Sequence, residues 1–157
     1  MKGADAEMKI SVGSDHRGYA LKQVVIAELK KRGYEVTDHG GYTEAPVDFP
    51  DVARDVCGSI KCGETGRGLM LCGSGVGAAI ACNKVPGIRA CCIHDVYSAH
   101  QCVEHDDVNV GCIGADVVGQ YVAMELIELF LNAQFSEDPD VRRRVMKLGQ
   151  MDGSVAR

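Results

Sequence analysis

The stretch that decides the fold is GLMLCGSGVG, residues 68–77. An apolar run ends in Cys72, and alternating glycines then lead into a segment of small residues, 78–82. This order predicts a buried strand, a tight loop and the start of a helix. Backbone N–H groups at a helix start bind anions, and a side chain at the end of the strand lies beside them. The stretch therefore predicts an active site at the end of a strand.

The same alternation of strand and helix extends along the chain on both sides of this stretch. The predicted strands are 9–13, 34–37, 68–71, 88–93 and 108–113, and the predicted helices are 19–32, 52–61, 78–84, 96–104, 117–134 and 139–146. The run 88–93 is apolar throughout, which is typical of a buried parallel strand. Repeated strand–helix units predict an α/β fold, a three-layer αβα sandwich around a five-stranded parallel sheet of the Rossmann or flavodoxin type.

Composition is that of one globular domain. The 157 residues are 46% hydrophobic and 25% charged, which predicts one domain over 1–157 with a flexible lead-in at 1–7. A net charge of −5 disfavours a nucleic-acid or anionic-membrane surface. No apolar stretch reaches the about 20 residues of a membrane span. The polar N-terminus lacks the apolar core of a signal peptide. The eight cysteines are therefore predicted to be free thiols of a cytoplasmic protein.

Cys72 is the candidate base. Backbone dipoles at the start of the following helix stabilise a thiolate at this position. The N–H groups of the loop from Gly73 to Gly77 are suited to hold an oxyanion as it forms. Together they fit the removal of a proton next to a carbonyl, with the resulting enediolate held by the loop. The alternative interpretation is a small core residue followed by a tight turn.

Polar residues near other predicted strands are further candidates. His105 stands between carboxylates just before the fifth strand. One interpretation is an acid or base that acts near neutral pH, and the other is a surface histidine in a charged turn. Asp15 and His16 follow the first strand, where two interpretations are compatible. Asp15 and His16 bind sugar hydroxyls or a phosphate, and Ser14 and Asp15 are suited to cap the next helix. Asp48 has the same two interpretations. Because parallel strands end at one edge of the sheet, polar groups that follow the strands are expected to meet there.

Two other kinds of site match the residues less well. Three histidines and a cysteine are close together between 94 and 105, but their spacing matches no structural zinc type and the chain has no CxxC pair. Residues 73–78 are similar to a dinucleotide-binding loop, with Asp95 about 20 residues on. The glycine spacing is G-x-G-x-G rather than G-x-G-x-x-G, and the loop follows the third strand. Dinucleotide binding stays an alternative.

Five motifs, in order along the chain, resemble those of the type B ribose-5-phosphate isomerases and related sugar-phosphate isomerases. They are GSDHRGY at 13–19, DFPD at 48–51, CGSGVG at 72–77, NKVPGIRA at 83–90 and EHDDVNV at 104–110. The resemblance extends from about Met8 to Val145. It implies a domain that interconverts ribose 5-phosphate and ribulose 5-phosphate without a metal or an organic cofactor.

The resemblance also implies a role for each matching residue. Cys72 would move a proton between C2 and C1, the loop would hold the enediolate oxygen, and His105 would help to open the furanose ring. Asp15 would contact the sugar and His16 the phosphate. The implied substrate-binding residues are, in full, Asp15, His16, Asp48, Gly73, Ser74, Gly75, Val76, Gly77, Asp106 and Arg144. The family is dimeric or tetrameric, which implies sites at a subunit interface, with residues 136–157 in contact with the partner.

The chain departs from the family pattern at several charged positions. Asp106 follows the histidine where the family usually has asparagine. Asp116 and Asp140 stand where the family has arginines that bind phosphate, and Arg144 keeps its place. A carboxylate that faces a phosphate dianion repels it. Either the basic residues at 142–143 or another base compensates, or the substrate differs.

The sequence thus predicts an aldose–ketose isomerase that acts on D-ribose 5-phosphate through a cis-enediolate, in the pentose phosphate pathway, as a homodimer or tetramer. One alternative is an isomerase of another sugar phosphate, either a tetrose phosphate or a hexose phosphate such as galactose 6-phosphate. The other is a non-catalytic module that binds sugar phosphates. The two aspartates favour the non-catalytic module, whereas Cys72 and His105 favour an enzyme.

Overall fold

A computed structural model describes residues 8–153, which form five strands and six helices. The strands are β1 (Lys9–Ser14), β2 (Glu35–Asp38), β3 (Arg67–Cys72), β4 (Ala90–Cys92) and β5 (Val110–Gly114). The helices are α1 (Tyr19–Lys31), α2 (Phe49–Lys61), α3 (Val76–Asn83), α4 (Val96–Asp106), α5 (Gln120–Asn132) and α6 (Pro139–Asp152). The predicted alternation is confirmed. The lead-in predicted at 1–7 lies outside the described residues.

The strands form one parallel sheet in the order β2-β1-β3-β5-β4. The central strand β3 is flanked by β1 and β5. Successive strands are added first on one side of β1 and then on the other, so the order reverses between β1 and β3. Ligands bind at the carboxyl ends of the strands beside such a reversal. Cys72 is the last residue of β3 and therefore lies at this point.

Both faces of the sheet are covered by helices, so the three-layer sandwich is confirmed. On one face, α1, α4 and α5 enclose a core that includes Leu29, Val103 and Phe130. On the other face, α2 and α3 enclose a second core that includes Val56 and Cys82. Since β3 and β5 lie between the two cores, every residue of these strands except Arg67 is buried, which explains their continuous apolar runs.

The prediction for the fourth strand was wrong in length and position. β4 covers only Ala90–Cys92, its three residues are half-buried, and it lies at the edge of the sheet. The Asn83 side chain bonds to both the N–H and the C=O of Ala90, at 2.8 and 2.7 Å. The Arg89 N–H donates to Asn109 Oδ1 at 2.8 Å. These side-chain amides take the hydrogen-bonding positions that a neighbouring strand would otherwise fill. An apolar run by itself does not distinguish such an edge strand from a central one.

Two helices differ from prediction at the ends that matter for the site. α2 begins at Phe49, three residues earlier than predicted, because Pro50 is compatible with a first helical turn. The Phe49 ring therefore lies against Gly77 of the glycine loop. α4 continues to Asp106, so His105 belongs to the last turn of a helix rather than to a loop.

Candidate active site

Cys72 is buried at the carboxyl end of β3, with 5% of its surface exposed. Its Sγ accepts a hydrogen bond of 3.1 Å from the Gly75 N–H. An N–H group that points at sulfur stabilises negative charge there, and α3 begins directly after this glycine. The local geometry suits a thiolate that acts as a base.

The loop around Cys72 requires glycine at position 75. Gly75 has φ +80°, and a Cβ there would lie 3.2 Å from the Gly114 N atom and 3.3 Å from the His94 ring. A side chain is therefore excluded by both backbone conformation and space. The next N–H, that of Val76, donates to Ser74 Oγ at 3.2 Å. These local contacts stabilise the loop conformation that the structure shows.

The turn after β5 supports the loop from one side. The Ala115 N–H donates to the Cys72 carbonyl at 2.8 Å, and the Asp116 N–H donates to the Gly73 carbonyl at 3.0 Å. A Cβ on Gly114 would lie only 2.6 Å from the Ser74 carbonyl carbon. The loop and β5 are therefore in direct backbone contact.

His94 connects β4 to this support. Its Nε2 accepts a hydrogen bond of 2.8 Å from the Gly114 N–H, which requires that nitrogen to be unprotonated. Burial lowers the pKa of His94, an effect that the nearby Asp95 opposes but does not cancel. The sequence analysis included His94 only among the three histidines between 94 and 105, and the structure shows that its partner is the backbone beneath the loop.

Asp15 and His16 lie at the same edge of the sheet, after β1. Asp15 Oδ1 accepts hydrogen bonds from the N–H groups of Arg17 and Gly18, at 2.9 and 3.0 Å. These bonds close the turn that leads into α1. The helix-cap interpretation was wrong, because the N-cap residue of α1 is Gly18 and this helix has no side-chain capping hydrogen bond. The other carboxylate oxygen has no hydrogen bond with residues 8–153. His16 is half-buried, and its Nδ1 is a buried atom without a partner in the same range.

Lys22 is a residue of this region that the sequence analysis missed. It is fully buried in α1, and its Nζ donates to Asp38 Oδ1 at 2.6 Å and to the carbonyls of Gly40 and Gly41 at 3.0 and 2.7 Å. These bonds hold the loop after β2 against the end of β1. The sequence does contain a signal for its burial. Lys22 lies three residues before Val25, which places both on the buried face of the helix.

Both aspartates at the usual arginine positions are paired with arginines. Arg17 Nε donates to Asp116 Oδ2 at 2.9 Å, and its Nη2 contacts the same oxygen. Asp140 pairs with Arg143 on α6. Neither carboxylate therefore faces a ligand without a compensating charge. The partner of Asp116 is 99 positions away in the sequence, so only the fold reveals it.

Asp48 is the residue before α2, at the same edge, and its side chain makes no capping hydrogen bond. Together with Asp15, His16, Cys72 and the loop 73–77, it forms one continuous region at the carboxyl ends of the strands. The expectation that polar groups meet at this edge is confirmed for these residues.

His105 and Asp106 lie elsewhere. They end α4, which runs from the carboxyl edge of the sheet back to its amino edge before β5 begins. β5 alone spans about 15 Å. Both side chains are exposed, and His105 Nδ1 is 3.0 Å from Gln101 Nε2. One chain therefore does not bring Cys72 and His105 together.

Arg144 lies on α6, which is also at the amino edge. The Ser136 N–H, just before α6, donates to the Glu104 carbonyl at 2.9 Å, and Asp152 near its end accepts from the Gly87 N–H at 2.9 Å. Glu104 and Gly87 both precede the start of a strand. Arg144 is exposed on this side, far from the loop of its own chain.

Other expectations concern metals, thiols and membranes. Within residues 8–153, no three His, Cys, Asp or Glu side chains are grouped to hold a metal ion. All eight cysteines are free thiols, as predicted. In the same part of the chain, no helix combines the length and apolar character needed to cross a membrane.

Comparisons with known proteins identify the family of this chain. The family model described as Ribose/Galactose Isomerase matches residues 10–148. A "Ribose-5-P isomerase B" of Listeria innocua is 40% identical over 82% of this chain and 87% of its own length. A "D-erythrulose-4-phosphate isomerase" of Pectobacterium atrosepticum is 38% identical, over 90% of this chain and 93% of its own length.

A solved structure of ribose-5-phosphate isomerase B from Clostridium thermocellum has the same fold. It superimposes with a TM-score of 0.90 at 42% identity, over 95% of this chain and 100% of that one. This chain belongs to the ribose/galactose isomerase family.

Proposed function

We propose that this protein interconverts D-ribose 5-phosphate and D-ribulose 5-phosphate. The observation that carries the proposal is Cys72 Sγ at the end of β3, bonded to the Gly75 N–H at 3.1 Å in the glycine loop that leads into α3. The similarity to ribose-5-phosphate isomerases B supports the same reaction.

The chemistry follows from a base beside an oxyanion site. The Cys72 thiolate removes the proton from C2 of the open-chain aldose, and the electron pair of that C–H bond forms the C1–C2 double bond of a cis-enediolate while charge develops on O1. The thiol then returns the proton to C1, and the proton of the O2 hydroxyl passes to O1. The ketose results, with no net gain or loss of electrons. N–H groups of the loop stabilise the charge at its maximum.

Ring opening needs a second acid–base group, and His105 of the partner subunit fits that role. In one chain, His105 and Cys72 lie at opposite edges of the sheet. A homodimer that pairs the carboxyl edge of one subunit with the amino edge of the other would complete two equivalent sites. Asp106 and Arg144 would enter the same sites with the histidine.

The exposed face of α3 supports such a dimer. Val76 and Ile80 are large apolar residues of α3, and yet 54% and 57% of their surfaces are exposed. They line a shallow groove of about 360 Å³ together with Ala79, Asn83 and Lys84. Apolar side chains of this size on one helix face are typical of an interface. The groove begins next to the glycine loop, so a second subunit bound there would approach Cys72.

Activity and its dependence on Cys72 are tested together. The formation of ribulose 5-phosphate from ribose 5-phosphate is measured in metal-free buffer with wild type, Cys72→Ala and Cys92→Ala, since Cys92 is a second thiol near the loop. Turnover by wild type and Cys92→Ala, with none by a folded Cys72→Ala, is expected. Substantial turnover by Cys72→Ala would refute its role as the base.

Shared sites have a separate test. Cys72→Ala and His105→Ala, each inactive alone, are unfolded together and refolded as a mixture. Random pairing makes about half of the dimers hybrids with one intact site of two, so about a quarter of the wild-type activity should return. A mixture that stays inactive, although hybrids form by native mass spectrometry, would contradict the shared site.

A tetrose phosphate is the second candidate substrate. The similarity to a D-erythrulose-4-phosphate isomerase, 38% identical over 90% of this chain, favours it. Values of kcat/KM for ribose 5-phosphate, erythrulose 4-phosphate and galactose 6-phosphate decide between them, and the highest is expected with ribose 5-phosphate. Calorimetric binding of all three without turnover would instead identify a non-catalytic module.

A further inference from the structure

Arg17 and Asp116 form an ion pair above the end of β3. Arg17 belongs to the turn after β1 and Asp116 to the turn after β5, and these strands flank β3 on its two sides. Arg17 Nε lies 2.9 Å from Asp116 Oδ2. The pair therefore spans the strand end that carries Cys72.

The pair is in contact with the glycine loop. A Cβ on Gly73 would lie 2.9 Å from Arg17 Nε and 3.1 Å from Asp116 Oδ2. The Asp116 N–H donates to the Gly73 carbonyl at 3.0 Å, and the Arg17 N–H donates to Asp15 Oδ1 at 2.9 Å. Both ends are thus fastened to residues of the candidate site, and Gly73 is the residue next to Cys72.

The guanidinium keeps donors available for a ligand. Asp116 Oδ2 accepts hydrogen bonds from Arg17 Nε and Nη2. By contrast, Arg17 Nη1 has no hydrogen bond with the described residues. The two side chains are 59% and 55% exposed. A guanidinium has a planar set of donors that matches phosphate oxygens, and a carboxylate on one edge fixes its plane. Lys22, another cation close to this edge, is buried and bonded to three oxygens.

We propose that Arg17 binds the phosphate of the substrate directly and that Asp116 is the positioning residue that holds its guanidinium against the loop. This proposal rests on the proposed function and adds the residue that selects a phosphorylated over an unphosphorylated sugar. The pair as a whole is neutral, so Asp116 also weakens the attraction of the site for a dianion.

Three variants separate direct binding from an indirect effect. Arg17→Ala removes the donors but also leaves the Asp116 carboxylate unopposed. Asp116→Asn keeps an oxygen acceptor for Arg17 and removes the opposing charge. The double variant lacks both charges. Lys9→Ala, which breaks an exposed pair of 2.7 Å with Glu35 at the amino edge, is the matched control.

The readouts are KM and kcat for ribose 5-phosphate and the inhibition constant of inorganic phosphate. Arg17→Ala is expected to raise KM and the inhibition constant together by about 10- to 100-fold, with kcat changed less than about threefold. Asp116→Asn should lower KM, Lys9→Ala should change nothing, and the double variant should keep the raised KM. Urea unfolding checks that each variant is folded.

Two results would overturn the proposal. One is a double variant whose KM returns to the wild-type value, because Arg17 would then act only by neutralising Asp116. The other is an Arg17→Ala variant that matches Lys9→Ala. If wild type has no turnover, the proposed function fails. Calorimetric titration of the same variants with inorganic phosphate then decides the role of Arg17 alone, with loss of binding in Arg17→Ala and the double variant in support and unchanged binding against it.

Discussion

The contact between β5 and the glycine loop predicts a large effect of a single methyl group. In Gly114→Ala, the new Cβ would lie 2.6 Å from the Ser74 carbonyl carbon and 2.7 Å from its oxygen, whereas ordinary contact begins at 3.4 Å. The loop backbone must therefore move away by about 0.8 Å. Gly114 does not have a positive φ, so alanine is not excluded by backbone conformation.

This displacement should cost more activity than stability. A shift of about 1 Å in catalytic geometry lowers rates by up to about 100-fold, and we expect kcat to fall by about 10- to 100-fold. Overpacking of this kind lowers the free energy of unfolding by about 1–3 kcal/mol. The assays are the formation of ribulose 5-phosphate at saturating substrate and urea denaturation.

Gly58→Ala is the matched control. Gly58 lies inside α2, and a Cβ there meets no atom within 4 Å. The same added methyl group should raise the free energy of unfolding by about 0.5–1 kcal/mol and leave kcat unchanged. If Gly114→Ala kept kcat within about twofold of Gly58→Ala, the inferred coupling of β5 to the loop would be refuted.

Three further predictions concern single side chains. The folded-state pKa of His94 lies below its ordinary value of 6.5, so its contribution to stability is complete above pH 6.5 and is lost as pH falls through the lower folded-state value. In His94→Gln, which still offers Gly114 an acceptor but does not titrate, urea denaturation should show a smaller loss of stability on acidification, and an unchanged loss would be evidence against the bond. Lys22→Met should lower the free energy of unfolding by about 3–5 kcal/mol, because Asp38 loses a buried partner, and a cost below about 1 kcal/mol would contradict this. Gly33→Ala, at φ +91° in open space, should cost about 1 kcal/mol by denaturation from backbone strain alone and leave kcat unchanged, whereas a fall in kcat would contradict a purely local effect.

Local patterns were sufficient for the class of fold and for the centre of the site. The apolar run before Cys72 and the glycines after it specify a strand, a loop and a helix start within ten residues, because hydrophobic period and turn chemistry act over that distance. Asp15, His16 and the loop then meet because parallel strands end together. Several helix and strand ends differed from prediction, and at α2 and β4 a proline and side-chain amides account for the difference.

The sequence by itself thus determined the parallel α/β sandwich and placed the candidate base, Cys72, at the end of its third strand. Only the tertiary structure decided the rest. The order of the strands makes neighbours of Arg17 and Asp116, places β4 at the edge and directs His94 under the loop, and these contacts join segments that are far apart in the chain. The direction of α4 carries His105 to the opposite edge from Cys72. Strand order and helix direction arise from the packing of the whole sheet, which no local run of residues encodes.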